Sequence, residues 1–386
     1  MKLLAANAHF APTEQNARLV VNTMQLRYVA TQDPVPRGCG ICDAMRQPAY
    51  LAFVLALAAA CSDDGAPPGA GDIDASTPDA STEPVFQRCT GLPFTPEPAG
   101  AWTSSSSAVV VLAGAPSHSA QDVLAVAGTV PKLEGFFVYG ALSVAINGEP
   151  VDVFVDECKG SWQKLGQATT DSSGHIAFDL PAALPVGIYE ARFRVVGDAS
   201  TTTANLWVLP IGTHLAITDI DGTMTSSDFE LFQQILDGAY VPKAYPGAVE
   251  LTRAHEKLGH VVVFLTGRPA GLTFKTREWL ANLGFAVGPL HVTDSAGQVL
   301  PTESGVGTFK KDFLHGLLDK GFIIDLAYGN ATTDVFAYLG IGLPPERVWI
   351  IGSNAGSMGT NAVTDSWEPR VIEVGKLPQV DQPFSW

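Results

Sequence analysis

The chain has 386 residues, 46% of them hydrophobic and 16% charged, enough apolar material for two sizeable cores. Its formal net charge of −16 and sequence pI of about 4.8 exclude a nucleic-acid-binding protein and any general attraction to anionic lipid. The sequence holds no internal repeat, no Walker-type phosphate loop, no zinc-ligand cluster and no serine nucleophile elbow.

The first element is the apolar run Ala49–Ala60, which ends at Cys61. It is too short for a membrane span and fits the core of a signal peptide. Met45-Arg46 supplies a start for such a peptide, so residues 1–44 read as lying upstream of the true start. Their Cys39-Gly40-Ile41-Cys42 then carries no function. Leu57-Ala58-Ala59-Ala60-Cys61 resembles a bacterial lipobox, in which Cys61 receives the lipid. The expectation is an exported lipoprotein anchored at the periplasmic or outer-membrane face of a bacterial envelope, with 45–61 as its signal peptide. Residues 62–87 are Asp-, Ala-, Gly-, Pro-, Ser- and Thr-rich and read as a flexible acidic linker. Cys89 and Cys158 fit either a disulfide or two buried thiols.

Residues 88–210 read as an all-β unit. Short β-type runs recur at Ala108–Leu112, Val123–Val126, Leu142–Ile146, Val151–Val155, His175–Phe178, Tyr189–Val196 and Asn205–Leu209. Turn signals such as Asn147-Gly148 and Gly197-Asp198 separate them. From Tyr189 onward the chain alternates, with Tyr189, Ala191, Phe193 and Val195 on one face and Glu190, Arg192 and Arg194 on the other. This is the signature of an immunoglobulin-like sandwich.

From residue 211 apolar strands alternate with helical stretches, which implies a parallel α/β sheet. Leu215–Thr218 leads into Asp219-Ile220-Asp221-Gly222-Thr223, two carboxylates at a buried strand end followed by a turn. Val261–Leu265 leads into the turn Thr266-Gly267-Arg268-Pro269. Phe309-Lys310-Lys311-Asp312 follows, then Phe322–Tyr328 ending in Gly329-Asn330 and Asp334, then Val348–Ile351. Ligands of such sheets bind beyond the carboxyl ends of the strands, so these polar clusters can converge on one site.

In this order the clusters resemble the haloacid dehalogenase superfamily. Asp219 to Asp228, Ala327–Asn330 and Asp334–Tyr338 look like the lipin family of phosphatidate phosphatases. Leu265–Pro269, Glu278–Ala281 and Gly342–Val348 also resemble the related terminal domain of some phosphatidylinositol-transfer proteins, a sister domain associated with binding phosphatidic acid rather than hydrolysing it. The resemblance covers Thr213 to about Gly352. It departs at Ser226, where lipins often carry Lys, and over Thr293–Thr308. It implies a Rossmann-like haloacid dehalogenase domain at 211–386 with a parallel sheet. By analogy Asp219 is the nucleophile, Asp221 the general acid and base, Thr266 a phosphoryl hydrogen-bond donor and Lys310 the counter-charge. Gly222, Thr223, Gly267 and Arg268 would surround the substrate. Asp219, Asn330, Asp334 and the backbone carbonyl of Asp221 would hold Mg²⁺.

Neither the interval Thr223–Val261 nor Pro269–Phe309 has room for a large cap, and an open site suits a phosphate presented on a lipid surface. Lys243, Arg253, Lys257, Arg268, Lys275 and Arg277 make the region near the mouth locally basic. The expected activity is Mg²⁺-dependent conversion of phosphatidic acid to diacylglycerol through an aspartyl-phosphate, by a monomer. The alternatives are a non-catalytic phosphatidic-acid-binding module and a phosphatase of a soluble phosphomonoester.

Overall fold

A computed structural model describes residues 90–386 apart from 141, 158, 237–239, 294–301, 382, 385 and 386. Residues 1–44, the expected signal peptide 45–61 with Cys61, the expected linker 62–87, Cys89 and Cys158 lie outside the described residues. No helix among those described is long and apolar enough to cross a membrane.

The first half is a β-sandwich. Its strands are β1 (Ser119–Ala120), β2 (Val123–Val126), β3 (Lys132–Phe136), β4 (Val138–Tyr139), β5 (Val144–Ala145), β6 (Pro150–Asp156), β7 (Trp162–Thr169), β8 (His175–Asp179), β9 (Gly187–Val195) and β10 (Thr201–Leu209). One sheet has the order β2-β10-β9-β6-β7 and the other β1-β3-β8, with β4 and β5 as a small hairpin. Leu133, Phe137, Val153, Ile176, Phe193 and Leu206 fill the core between them.

The alternation in β9 holds on its inner face, where Tyr189, Ala191, Phe193 and Val195 are all buried. On its outer face Glu190 and Arg194 are buried as well, because the segment before the sandwich lies over them. Arg194 pairs with Asp152 at 2.8 Å and donates to the Glu97 carbonyl at 3.0 Å. The run Ala108–Leu112, expected as β, is instead helical. Helix α1 (Ser105–Val110) starts where the Ser104 hydroxyl accepts the Ser106 amide, and a 3₁₀ turn continues it.

The second half is a six-stranded sheet flanked by helices. Its strands are β11 (His214–Thr218), β12 (Val261–Pro269), β13 (Leu290–Thr293), β14 (Ile323–Gly329), β15 (Val348–Ile351) and β16 (Asn361–Val363). The helices are α2 (Phe229–Leu236), α3 (Ala248–Lys257), α4 (Thr273–Leu283), α5 (Thr308–Asp319), α6 (Thr332–Gly340) and α7 (Glu368–Val374). The order is β13-β12-β11-β14-β15-β16, every neighbouring pair parallel. Period-two alternation makes each strand two-sided. Leu215, Ile217, Val261 and Val263 face α5 and α6, while Ala216, Val262 and Phe264 face α3, α4 and α7.

The sheet turns outward in both directions from β11, with β12 on one side and β14 on the other. The crevice at their carboxyl ends is the place where such sheets bind ligands. Among the described residues the excursion between β11 and α3 holds one helix, α2, of eight residues.

The two halves share a core. Leu124, Ile188, Trp207 and Leu209 of the sandwich cluster with Leu215, Val261 and Leu317 of the α/β half. The sandwich also closes the open edge of the parallel sheet. Gln121 donates to the Val292 carbonyl (2.7 Å) and accepts the Val292 amide (3.2 Å), as a neighbouring strand would. Asp122 accepts the Leu290 amide at 2.9 Å and Arg277 at 2.6 Å. An uncapped edge strand would leave those groups unpaired.

Candidate functional site

Asp219 is the first residue past β11, and its amide donates to the Tyr328 carbonyl of β14, so the backbone fixes its place between two strands. Its side chain is 6% exposed. Lys310, in the first turn of α5, donates to Asp219 Oδ1 at 2.5 Å and to Asp334 Oδ1 at 2.7 Å. Thr223 Oγ1 donates to Asp219 Oδ2 at 2.9 Å and lies 3.3 Å from Asn330 Oδ1. Asn330 is aimed by its amide nitrogen, which donates to Asp228 at 3.0 Å, and by Asn354, which donates to its carbonyl at 2.9 Å.

Gly222 makes this approach feasible. Its φ is +69°, and a Cβ there would lie 2.0 Å from Asn330 Nδ2. The Gly222 amide donates to Thr225 Oγ1 at 2.9 Å, so it serves the turn and not a substrate. Trp367, just ahead of α7, donates to the Thr223 carbonyl at 2.8 Å and holds the turn from outside.

Burial pushes the Asp219 carboxyl up, to about 7, against the pull of Lys310 and with the help of Asp334 and Asp221. Burial also opposes the Lys310 charge, but Asp219 and Asp334 outweigh it and raise the lysine. We place Lys310 as charged, since two carboxylates share it.

Asp334 was expected among the metal ligands. The structure joins it to Asp219 through Lys310. Its Oδ1 is taken by Lys310, and its Oδ2 accepts the Asn330 and Ala331 amides at 3.0 Å each. These contacts fill Oδ2, leave Oδ1 with acceptor capacity, and make Asp334 an anchor for Lys310 and for the start of α6.

Asp221 forms a second cluster with β12. The strand does not turn at Thr266; it continues to Pro269. Its register against β13 is irregular between Leu265 and Pro269, and residues 266 and 268 both reach Asp221. Thr266 Oγ1 donates to Asp221 Oδ2 at 3.2 Å. Arg268 grips both oxygens, with Nε 2.9 Å from Oδ2 and Nη2 2.8 Å from Oδ1. Its Nη1 donates to Gln234 of α2 and Thr276 of α4, both at 3.0 Å. Arg268 is 0% exposed. Arg268, expected beside the substrate, is here held by Asp221, Gln234 and Thr276.

The other basic residues near the mouth are also dispersed. Arg277 serves the sandwich, and Arg253 donates to the Gly284 carbonyl and to Glu256. Gly267 packs against Val306, where a Cβ would meet its side chain at 3.1 Å.

Among the described residues no group of three or more His, Cys, Asp and Glu side chains is arranged to hold a metal. The remaining donor set is one carboxylate oxygen of Asp219 and the amide oxygen of Asn330, with a single Thr223 hydroxyl between them. Two oxygen acceptors sharing one proton leave acceptor capacity unfilled. An all-oxygen set of low charge fits a hard divalent cation and does not fit a soft one.

Comparison with known proteins follows this division of the chain. Residues 216–352 match the LNS2 domain of PITM 1-3. Residues 116–208 match the PITM 1-3 β-sandwich domain. The chain is thus a β-sandwich followed by an LNS2-type domain, and the parallel sheet is consistent with a haloacid-dehalogenase-like fold. Membrane-associated phosphatidylinositol transfer protein 3 of Homo sapiens is 32% identical over 242 residues, which are 61% of this chain and 23% of that protein. Protein retinal degeneration B of Drosophila melanogaster is 29% identical over 272 residues, 69% of this chain and 20% of that protein. The matched part is less than a quarter of either relative. These similarities lie with transfer-protein LNS2 domains rather than with lipin-type phosphatases, which shifts the weight within the resemblance read from the sequence. Solved structures overlay weakly, for example the structure of PhoD, with a TM-score of 0.23 at 10% identity over 39% of this chain and 28% of that one.

Proposed function

We propose that the α/β half binds the phosphomonoester headgroup of phosphatidic acid at a membrane surface and, in the arrangement seen, does not hydrolyse it. The supporting observation is the grip of Arg268 on Asp221. Hydrolysis needs a proton on Asp221, aimed at the leaving oxygen. Here both carboxylate oxygens accept hydrogen bonds from Arg268, and Thr266 adds another, so neither oxygen is left to carry that proton outward.

Binding needs less. Asp219, Asn330 and the backbone carbonyl of Asp221 would hold Mg²⁺, which when bound supplies the positive charge that a phosphate requires next to carboxylates. Lys310 keeps Asp219 in place, Thr223 orients the two oxygens, and Asn330 is positioned through Asp228. The names of the relatives fit a phospholipid partner. Cys61, once the signal peptide ahead of it is removed, would tether the chain through a lipid anchor to the envelope face where that lipid is displayed.

The second reading is phosphatidate hydrolysis of the haloacid dehalogenase kind, favoured by the intact Asp219–Lys310 pair. Asp219 would attack phosphorus, the diacylglycerol oxygen would leave with a proton from Asp221, and water would cleave the aspartyl-phosphate. Arg268 would first have to release Asp221.

The test is full-length protein with Mg²⁺ and phosphatidic acid in mixed micelles. Saturable binding without phosphate release above that of Asp219→Asn is expected. Release that Asp219→Asn abolishes would establish hydrolysis, and absence of binding would sink both readings.

A further inference from the structure

Two large apolar side chains stand in water at the carboxyl edge of the sheet: Phe274, 73% exposed, and Val241, 67% exposed. Phe274 opens α4, five residues past the end of β12, and Val241 lies in the segment joining α2 to α3. They belong to one neighbourhood. Trp279 of α4 donates to the carbonyl of Pro242 at 2.8 Å, which binds the Val241 segment to the helix of Phe274. Gln234 of α2 and Thr276 of α4 both hold Arg268, which in turn holds Asp221. Helix α4, which carries Phe274 and binds the Val241 segment through Trp279, therefore also holds Asp221 through Thr276 and Arg268.

We propose that Phe274 and Val241 form a rim that inserts into the phospholipid bilayer presenting the phosphomonoester. This rests on the phosphatidic-acid reading and names the surface through which the site meets its ligand. The polarity order is that of a lipid: a polar floor at Asp219, Thr223 and Asn330, and apolar tips at the mouth. A soluble phosphomonoester would give the tips nothing to bury.

Two separate tips are far too little for a protein interface, which takes on the order of 1,200 Å². They suffice for insertion, since each buried Phe or Val side chain shifts partitioning by about tenfold or more. With a net charge of −16 the chain is not drawn to an anionic surface as a whole, so the rim engages through apolar contact. Its binding resists added salt, unlike that of a basic patch.

The test uses the full chain with phosphatidylcholine vesicles, with and without phosphatidic acid, comparing wild type with Phe274→Ser and Val241→Ser. Both positions are exposed, so neither change opens a buried cavity. Comparing the two vesicle types cancels any contribution of the residues upstream of the sandwich, which all the proteins share. Each variant is expected to lose about tenfold of the phosphatidic-acid-dependent binding. Each should still bind a water-soluble, short-chain phosphatidic acid like the wild type.

Backbone hydrogen exchange gives a second readout. Residues 240–244 and 271–276 should exchange more slowly on phosphatidic-acid vesicles. Variants that bind vesicles as the wild type does, or unchanged exchange in both segments, would overturn the rim while leaving the binding reading intact. A wild-type chain that binds neither the vesicles nor the short-chain lipid would overturn both.

Discussion

Lys310→Met probes the electrostatic core of the site. Lys310 is 2% exposed and lies 2.5 Å from Asp219 and 2.7 Å from Asp334, both of them buried carboxylates. Methionine approximates the length of the side chain and removes the charge. Deleting one partner of a buried ion pair costs about 3–5 kcal/mol, because the charge left behind has lost both water and counter-ion. Here two carboxylates are left, though Asp334 keeps the Asn330 and Ala331 amides. Asp219 can escape by taking a proton, since burial already pushes it up to about 7. A carboxyl raised in the folded state favours the fold at low pH, and that stability is lost as pH rises through the raised value. The cost of Lys310→Met should therefore be greater at pH about 8 than at pH about 6, and adding Asp219→Asn should recover about 1–3 kcal/mol of it as coupling. Urea unfolding with an unchanged slope measures both quantities. A loss below about 1 kcal/mol at the higher pH, or no recovery in the double variant, would refute the buried triad.

Asp122→Ala should cost about 3 kcal/mol or more, because it strips Arg277 and the Leu290 and Asn205 amides of their acceptor. Tryptophan fluorescence and far-ultraviolet circular dichroism should still report one coincident transition, since the two halves share a core. Gly222→Ala should abolish phosphatidic-acid binding while leaving the secondary structure unchanged by circular dichroism, because its Cβ would displace Asn330. Acid should destabilise the whole protein. Burial drives His118 down to about 4 and His291 to about 3, with Asp198 opposing the first and Lys320 adding to the second. Both are neutral in the fold and take up protons on unfolding once pH falls below about 6.5. Each then removes up to about 1.4 kcal/mol per pH unit, so the urea midpoint should fall steadily between pH about 6.5 and 4.5.

Much of the site could be read from the sequence because its residues follow apolar strands of a parallel sheet. Asp219 and Asn330 sit directly beyond β11 and β14, and Lys310 beyond Phe309 arrives from α5, as the order of motifs implied. Arg268 was misplaced for a local reason. A turn was assumed after Thr266; the strand runs on to Pro269 through an irregular register, and Arg268 reaches Asp221 beside Thr266. Ala108–Leu112 has β-branched residues that suggest a strand, while Ser104 just upstream supplies a helix cap that outweighs them. The edge seal by Gln121 spans 171 residues of sequence and leaves no local pattern to find. Asp334 was legible as a site residue, but its service to Lys310 and to the Asn330 and Ala331 amides was not, since those contacts depend on how α5 and α6 pack.

The most direct test of binding without turnover is phosphorus NMR of a short-chain phosphatidic acid with stoichiometric full-length protein and Mg²⁺. The Arg268 grip on Asp221 predicts a shifted or broadened phosphomonoester signal that persists. A growing signal of inorganic phosphate, absent with Asp219→Asn, would contradict it.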